Sequence, residues 1–94
     1  MLYVNVTYTM PRENRDKFLA EIQEQRIMEL TRLEPGNGAY EFSVPLDSDD
    51  QVYLREIWEE TGFEGHKSSD NIKKLGMMKE KYDITTSIVI SRFD

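Results

Sequence analysis

The chain has 94 residues, 38% of them hydrophobic and 32% charged, enough for one compact core and too little for two. Twelve Lys and Arg stand against eighteen Asp and Glu, a formal charge of −6, so the clustered positive charge that holds a phosphate backbone is missing and nucleic acid is not an expected partner. Without cysteine and with one histidine, the chain has no disulfide, no thiolate nucleophile and no multi-histidine metal site of its own. No apolar run approaches membrane-spanning length, and the amino terminus lacks the basic start and apolar stretch of a secretory leader. The expectation is a cytoplasmic protein with no membrane partner, residues 1–94 forming a single domain.

Residues 2–10 alternate, with Leu2, Val4, Val6 and Tyr8 on one side and Tyr3, Asn5, Thr7 and Thr9 on the other, the period of a strand. Pro11 ends it. From about Asn14, the apolar residues Phe18, Leu19, Ile22, Leu30 and Leu33 recur at helical spacing until Glu34-Pro35-Gly36-Asn37-Gly38, which predicts one long helix. Residues 39–44 and 51–59 are β-rich, and the polar Pro45-Leu46-Asp47-Ser48-Asp49-Asp50 between them predicts a hairpin. Asp47, Asp49 and Asp50 do not form a calcium loop: no glycine follows in the required place, and Trp58 occupies the closing position.

Thr61-Gly62-Phe63-Glu64 has the form of a capping box and predicts a short helix. Ser68-Ser69-Asp70 offers a second cap, after which Ile72, Leu75 and Tyr82 keep helical spacing, with Met77 and Met78 as adaptable packing residues. Residues 84–93, dense in Thr, Ile and Val, close the chain as a strand. The order β-α-β-β-α-β predicts the α+β class and a ferredoxin-like fold, an antiparallel four-stranded sheet with both helices on one face. The other face stays open, yet Tyr53, Arg55 and Ile57 and the run Ile88-Val89-Ile90 put sizeable side chains on both sides of the sheet. A second copy in a two-fold homodimer is the simplest cover.

Glu34-Pro35-Gly36-Asn37 leading through Tyr40-Glu41-Phe42, then Arg55-Glu56-Ile57-Trp58-Glu59-Glu60, then His66 followed by Ser68-Ser69 and a helix, resembles the antibiotic biosynthesis monooxygenase domains over nearly the whole chain. The resemblance implies a dimeric α/β barrel. It also implies a place among oxygenases that use neither metal nor flavin, haem-degrading proteins and an isomerase of a phosphorylated sugar signal, so fold does not fix reaction. Haem-degrading members use a strand asparagine, which Asn5 matches, and a helix histidine, where this chain has Gly76. His66 falls where those members place a pocket tryptophan, which argues against haem chemistry by that route.

His66 is the one side chain whose ordinary pKa suits proton exchange near neutral pH, and it matches the family's recurring helix histidine, so it is the candidate general base. The alternative is a capping or surface histidine. Trp58 offers an aromatic wall and an indole donor, or plain core packing. Asn5 could hydrogen-bond a substrate oxygen, or face a dimer partner. These three form the expected catalytic set. Arg26, in the middle of the apolar stripe of the first helix, would anchor an anionic group, or simply pair with Glu29. Glu56, two residues from Trp58 on the same strand face, could orient His66 or pair with an arginine. With Tyr40, Arg26 and Glu56 form the expected substrate-binding set.

The reaction expected from the resemblance is monooxygenation of a small, electron-rich aromatic or quinol-like molecule in an apolar cavity between helices and sheet. No cofactor is needed, and dioxygen is the co-substrate. An isomerase of a small carbonyl compound, phosphorylated or not, with Arg26 or Lys67 on the anionic group, and a non-catalytic ligand-binding dimer are the alternatives.

Overall fold

The computed structural model describes residues 1–94. In chain order the elements are β1 (Leu2–Thr9), α1 (Arg12–Glu24), α2 (Ile27–Arg32), β2 (Asn37–Ser43), β3 (Gln51–Trp58), α3 (Glu60–His66), α4 (Asp70–Lys81) and β4 (Thr85–Arg92). The four strands form one sheet in the order β2-β3-β1-β4, every neighbouring pair antiparallel. This is the ferredoxin-like arrangement expected from the element order. No helix is long and apolar enough to cross a membrane.

Strand parity fixes which residues meet the helices. Leu2, Val4, Val6 and Tyr8 of β1 and Val52, Leu54, Glu56 and Trp58 of β3 are buried, and the register pairs Leu2 with Trp58 and Val4 with Glu56. Phe18 and Ile22 of α1, Ile27 of α2, and Leu75 and Met78 of α4 close the core from the helical side. Met77, expected to pack, is exposed.

Two local expectations fail. The first helix is broken: Arg26 adopts a left-handed backbone (φ 56°, ψ 38°) between α1 and α2. Gln and Arg are good helix formers, so nothing in the sequence marks this stop. The break turns the second segment so that Ile27 and Thr31 face inward while Leu33 is 79% exposed. The capping box is not formed either. Helix α3 begins two residues earlier than its motif sets it, with Glu59 rather than Thr61 as N-cap and no side-chain cap hydrogen bond. Ser69, the second predicted cap, does accept from the Ile72 N–H at 3.2 Å.

One irregularity matters for the site. The pairing of β2 with β3 shifts between Asn37, opposite Trp58, and Ala39, opposite Ile57. This bulge at Gly38 inserts a residue and reverses which side chains face inward. Tyr40, rather than Ala39, therefore lies opposite Glu56 on the covered face.

Strand β4 is an edge whose eight residues are all exposed. Ile88 and Ile90, aligned with Val6 and Val4 and thus on the helical side, are 55% and 50% exposed, and Val89 on the opposite face is 63% exposed.

Candidate functional site

Several buried polar side chains converge where α3 and α4 cross the β2-β3 end of the sheet. His66, the last residue of α3, is only 3% exposed. Its ring stacks on Trp58 with centroids 4.5 Å apart and planes at 28°, and Tyr40 meets it edge-on at 5.9 Å. Nδ1 lies 2.8 Å from Glu34 Oε1. A carboxylate only accepts, so Nδ1 carries the hydrogen and, in the neutral ring, Nε2 carries the lone pair. Glu34 is itself held, because Asn71 Nδ2 donates to Oε2 at 2.8 Å. Carboxylate and amide together thus fix the plane and tautomer of the imidazole.

Nε2 is buried without a hydrogen-bond partner. The nearest acidic group is Glu56, whose Oε1 is 3.8 Å away, beyond hydrogen-bond reach. That same oxygen accepts the Trp58 indole N–H at 2.8 Å. Burial pushes the Glu56 carboxyl above the usual glutamate range, and the charge of Glu34 adds to this, against the lowering effect of the Trp58 N–H and His66. The hydroxyls of Tyr40 and Thr31 are also buried and have no polar contact beyond each other. Burial, with negative charge nearby, raises the Tyr40 phenol well above its ordinary value.

A cleft of about 440 Å³ reaches this cluster from the surface, within the size range of small-molecule sites. It is lined by His66 and Glu34 together with Pro35, Gly36, Glu59, Thr61, Gly62, Gly65 and Ser69. Its shape depends on a close approach of two backbones. A Cβ at Gly62 would stand 2.3 Å from the Pro35 carbonyl oxygen, and Gly36, at φ +82°, lies directly against Gly62. Only glycine permits both contacts. The Glu59 N–H donates to the Gly36 carbonyl at 2.8 Å, and the turn carrying Glu34 is thereby tied to the helix carrying His66.

The structure brings together four of the residues singled out from the sequence: His66, Trp58, Glu56 and Tyr40. It separates two. Asn5 sits opposite Arg55 on the open face of the sheet, exposed, because odd-numbered residues of β1 point away from the helices. It does not share a cavity with Trp58. Arg26 is 65% exposed at the helix break and pairs with Glu29 at 3.5 Å, since the left-handed turn removes it from the buried stripe. Lys67 pairs with Glu64 at 3.2 Å and does not line the cleft. Beside His66 the space between helices and sheet is filled by Trp58, Tyr40, Phe18, Ile22 and Ile27, and the mainly apolar cavity between α1, α2 and β2, about 250 Å³ and lined by Leu19, Ile22, Met28, Phe42 and Val44 among others, does not include His66. Glu34 and Asn71 were not singled out. Glu34 stands in the Glu-Pro-Gly-Asn segment, where its place before Pro and Gly reads as a helix stop, and Asn71 in the first turn of α4 gives no signal of its partner.

No group of three or more His, Asp or Glu side chains is disposed to hold a metal ion.

A four-stranded ferredoxin-like domain with a carboxylate-oriented histidine at the helix-sheet junction defines the class. The family model for antibiotic biosynthesis monooxygenase matches residues 1–75, and the chain belongs to that family. No curated protein matches it. Among solved structures it is similar to one described as an antibiotic biosynthesis monooxygenase, with 19% identity and a TM-score of 0.83 over 100% of this chain and 99% of the other. A conserved protein of Bacteroides thetaiotaomicron is similar at 18% identity and a TM-score of 0.85, over 98% and 96% of the two chains. A conserved protein of Methanosarcina mazei is similar at 23% identity and a TM-score of 0.81, over 100% and 94%. These likenesses establish the shared fold.

Proposed function

We propose that the protein is a monooxygenase that uses neither metal nor flavin, acts on a small electron-rich aromatic or quinol-type molecule held in the cleft beside His66, and works as a homodimer. The observation that carries this reading is the state of His66: Nδ1 is engaged by Glu34 at 2.8 Å while Nε2 is unpartnered. An imidazole so held is in the tautomer of a general base, with its Nε2 lone pair unengaged within the protein, and a substrate in the cleft reaches that buried atom only by a local shift of the residues covering it. Nε2 takes the proton from the substrate, and the imidazolium that forms lies between Glu34 and Glu56, both placed to stabilise it. The substrate anion supplies electrons to dioxygen. One oxygen atom enters the product and the other leaves as water, the substrate providing all four electrons. Trp58 and Tyr40 act through the histidine, holding the ring face and edge in a site from which water is excluded.

The homodimer rests on β4, where Ile88, Val89 and Ile90 leave apolar side chains bare on both faces of an edge strand, a surface that calls for a partner. Asn5 and Arg55 lie on the open sheet face beside it.

The test is dioxygen uptake by metal-stripped protein with a panel of hydroquinones, naphthols and anthrones, measured against autoxidation without protein. Uptake above background that falls on the order of a hundredfold in His66→Ala, and comparably in the better-filling His66→Gln, is the expected result for loss of a general base. Absence of protein-dependent uptake across the panel refutes the oxygenase reading and leaves ligand binding as the role to measure.

A further inference from the structure

The charge lining the cleft says what class of molecule it takes. None of its nine lining residues is a lysine or arginine, whereas two, Glu34 and Glu59, are glutamates. Both oxygens of Glu34 accept hydrogen bonds from neutral or neutralisable donors, Asn71 and His66. No cation sits against it. Glu59 is exposed and forms no ion pair, in contrast to its neighbours: Glu60 is matched by Arg92 and Glu64 by Lys67. The nearest basic side chains in sequence, Arg55 and Lys67, are committed to Glu41 at 3.3 Å and to Glu64 at 3.2 Å, and the Glu59 charge is uncompensated at the rim. The chain as a whole adds a net charge of −6, so the field approaching the cleft is negative rather than positive.

We infer that this cleft admits neutral or cationic aromatic ligands and turns away anionic ones, and that Glu59 is the residue that sets the difference. The inference deepens the reading of the His66 cleft as the substrate site and rests on it. Selection here works by a repulsive element, a carboxylate at the entrance with no partner to quench it. A substrate must arrive protonated, which leaves its proton to be taken by His66 after binding. Carboxylated and phosphorylated molecules are excluded for the same reason. Arg26 and Lys67, the cations that would hold such groups, are outside the cleft.

The experiment uses three probes of one ring system at neutral pH under nitrogen: 1-naphthol, a hydroxynaphthoate and an aminomethyl-naphthol. Affinity is read by calorimetry. Occupancy of the cleft is read from the ring resonances of His66, which are unambiguous because the chain has one histidine. The expected result is that the neutral and cationic probes move the His66 signals, while the carboxylate binds about tenfold more weakly or worse, a gap that narrows as salt screens it. Glu59→Gln, which removes charge without removing a cap hydrogen bond, narrows the gap several-fold. Equal or tighter binding of the carboxylate, or a gap untouched by Glu59→Gln, overturns the inference. Failure of all three probes to bind at millimolar concentration overturns the cleft as a ligand site. Because dioxygen is absent, a silent oxygen-uptake assay sinks the monooxygenase reading without altering any of these outcomes.

Discussion

Replacing Gly62 by alanine should destabilise the protein, while the same replacement at Gly76 should stabilise it. A Cβ at Gly76 meets nothing within 4 Å. Only backbone entropy and helix propensity then act, and alanine gains about 0.5–1 kcal/mol. At Gly62 the added carbon stands 2.3 Å from the Pro35 carbonyl oxygen and 2.9 Å from Gly36 Cα, and both are backbone atoms that cannot rotate aside. Overpacking costs about 1–3 kcal/mol, with the upper part of that range fitting a clash that moves the chain itself. After the propensity gain is subtracted, Gly62→Ala falls about 1–2 kcal/mol below the unsubstituted protein. The two variants should therefore differ by about 2–3 kcal/mol, roughly 10–20 °C in Tm for a domain of this size. Urea unfolding followed by circular dichroism, at one fixed protein concentration, measures the difference. The displaced turn also carries Glu34 away from His66, so Gly62→Ala should lose oxygen uptake beyond what its folded fraction explains. Equal stability of the two variants would refute the close-approach argument.

Two further outcomes follow from the buried carboxyl and the bare strand. Burial raises the Glu56 pKa above the ordinary glutamate value of 4.5, so between 4.5 and that raised value the folded chain holds a proton the unfolded chain has released. Folding therefore loses stability as pH rises through this window. Glutamine at 56 cannot titrate and keeps an oxygen for the Trp58 indole, so the stability of Glu56→Gln relative to the unsubstituted protein should grow from about pH 4 upward and then level off. A difference independent of pH in chemical unfolding would contradict this. At β4, Ile88→Asp with Ile90→Asp should convert a sedimenting dimer into a monomer by raising the dissociation constant on the order of a hundredfold; a monomer before substitution, at high micromolar concentration, would dispose of the homodimer.

Much of the fold is legible because alternation and helical spacing are local signals. Leu2, Val4, Val6 and Tyr8 announce both β1 and its covered face, and all four are buried. What could not be read is where local pattern gives way to backbone geometry. A left-handed Arg26 splits the first helix without any residue type that marks it. The resulting rotation exposes Leu33 and removes Arg26 from the stripe in which spacing alone had set it. The Thr61 capping motif loses to Glu59 because the Gly36-Glu59 hydrogen bond begins the helix earlier. Asn5 is a different case, since its parity on β1 was plain and only the face shared by Trp58 decided the matter.

The site follows the same division. Glu56 and Trp58 are two apart on one strand, so their common face could be read directly. Tyr40 joins them only because the bulge at Gly38 flips its strand, and Glu34 and Asn71 are 37 residues apart. Such convergence is a property of the assembled chain. Its chemistry also distinguishes it from packing. A core built for stability alone would not leave His66 Nε2 buried without a partner, since an unsatisfied group costs about 1–3 kcal/mol. Nor would it place a carboxyl with a raised pKa beside an imidazole. Apolar residues of similar volume would fill the same space at lower cost. The unsatisfied nitrogen belongs to the one histidine, which also lines the cleft, and the stability forgone there is the strongest physical reason to look for the reaction at Nε2.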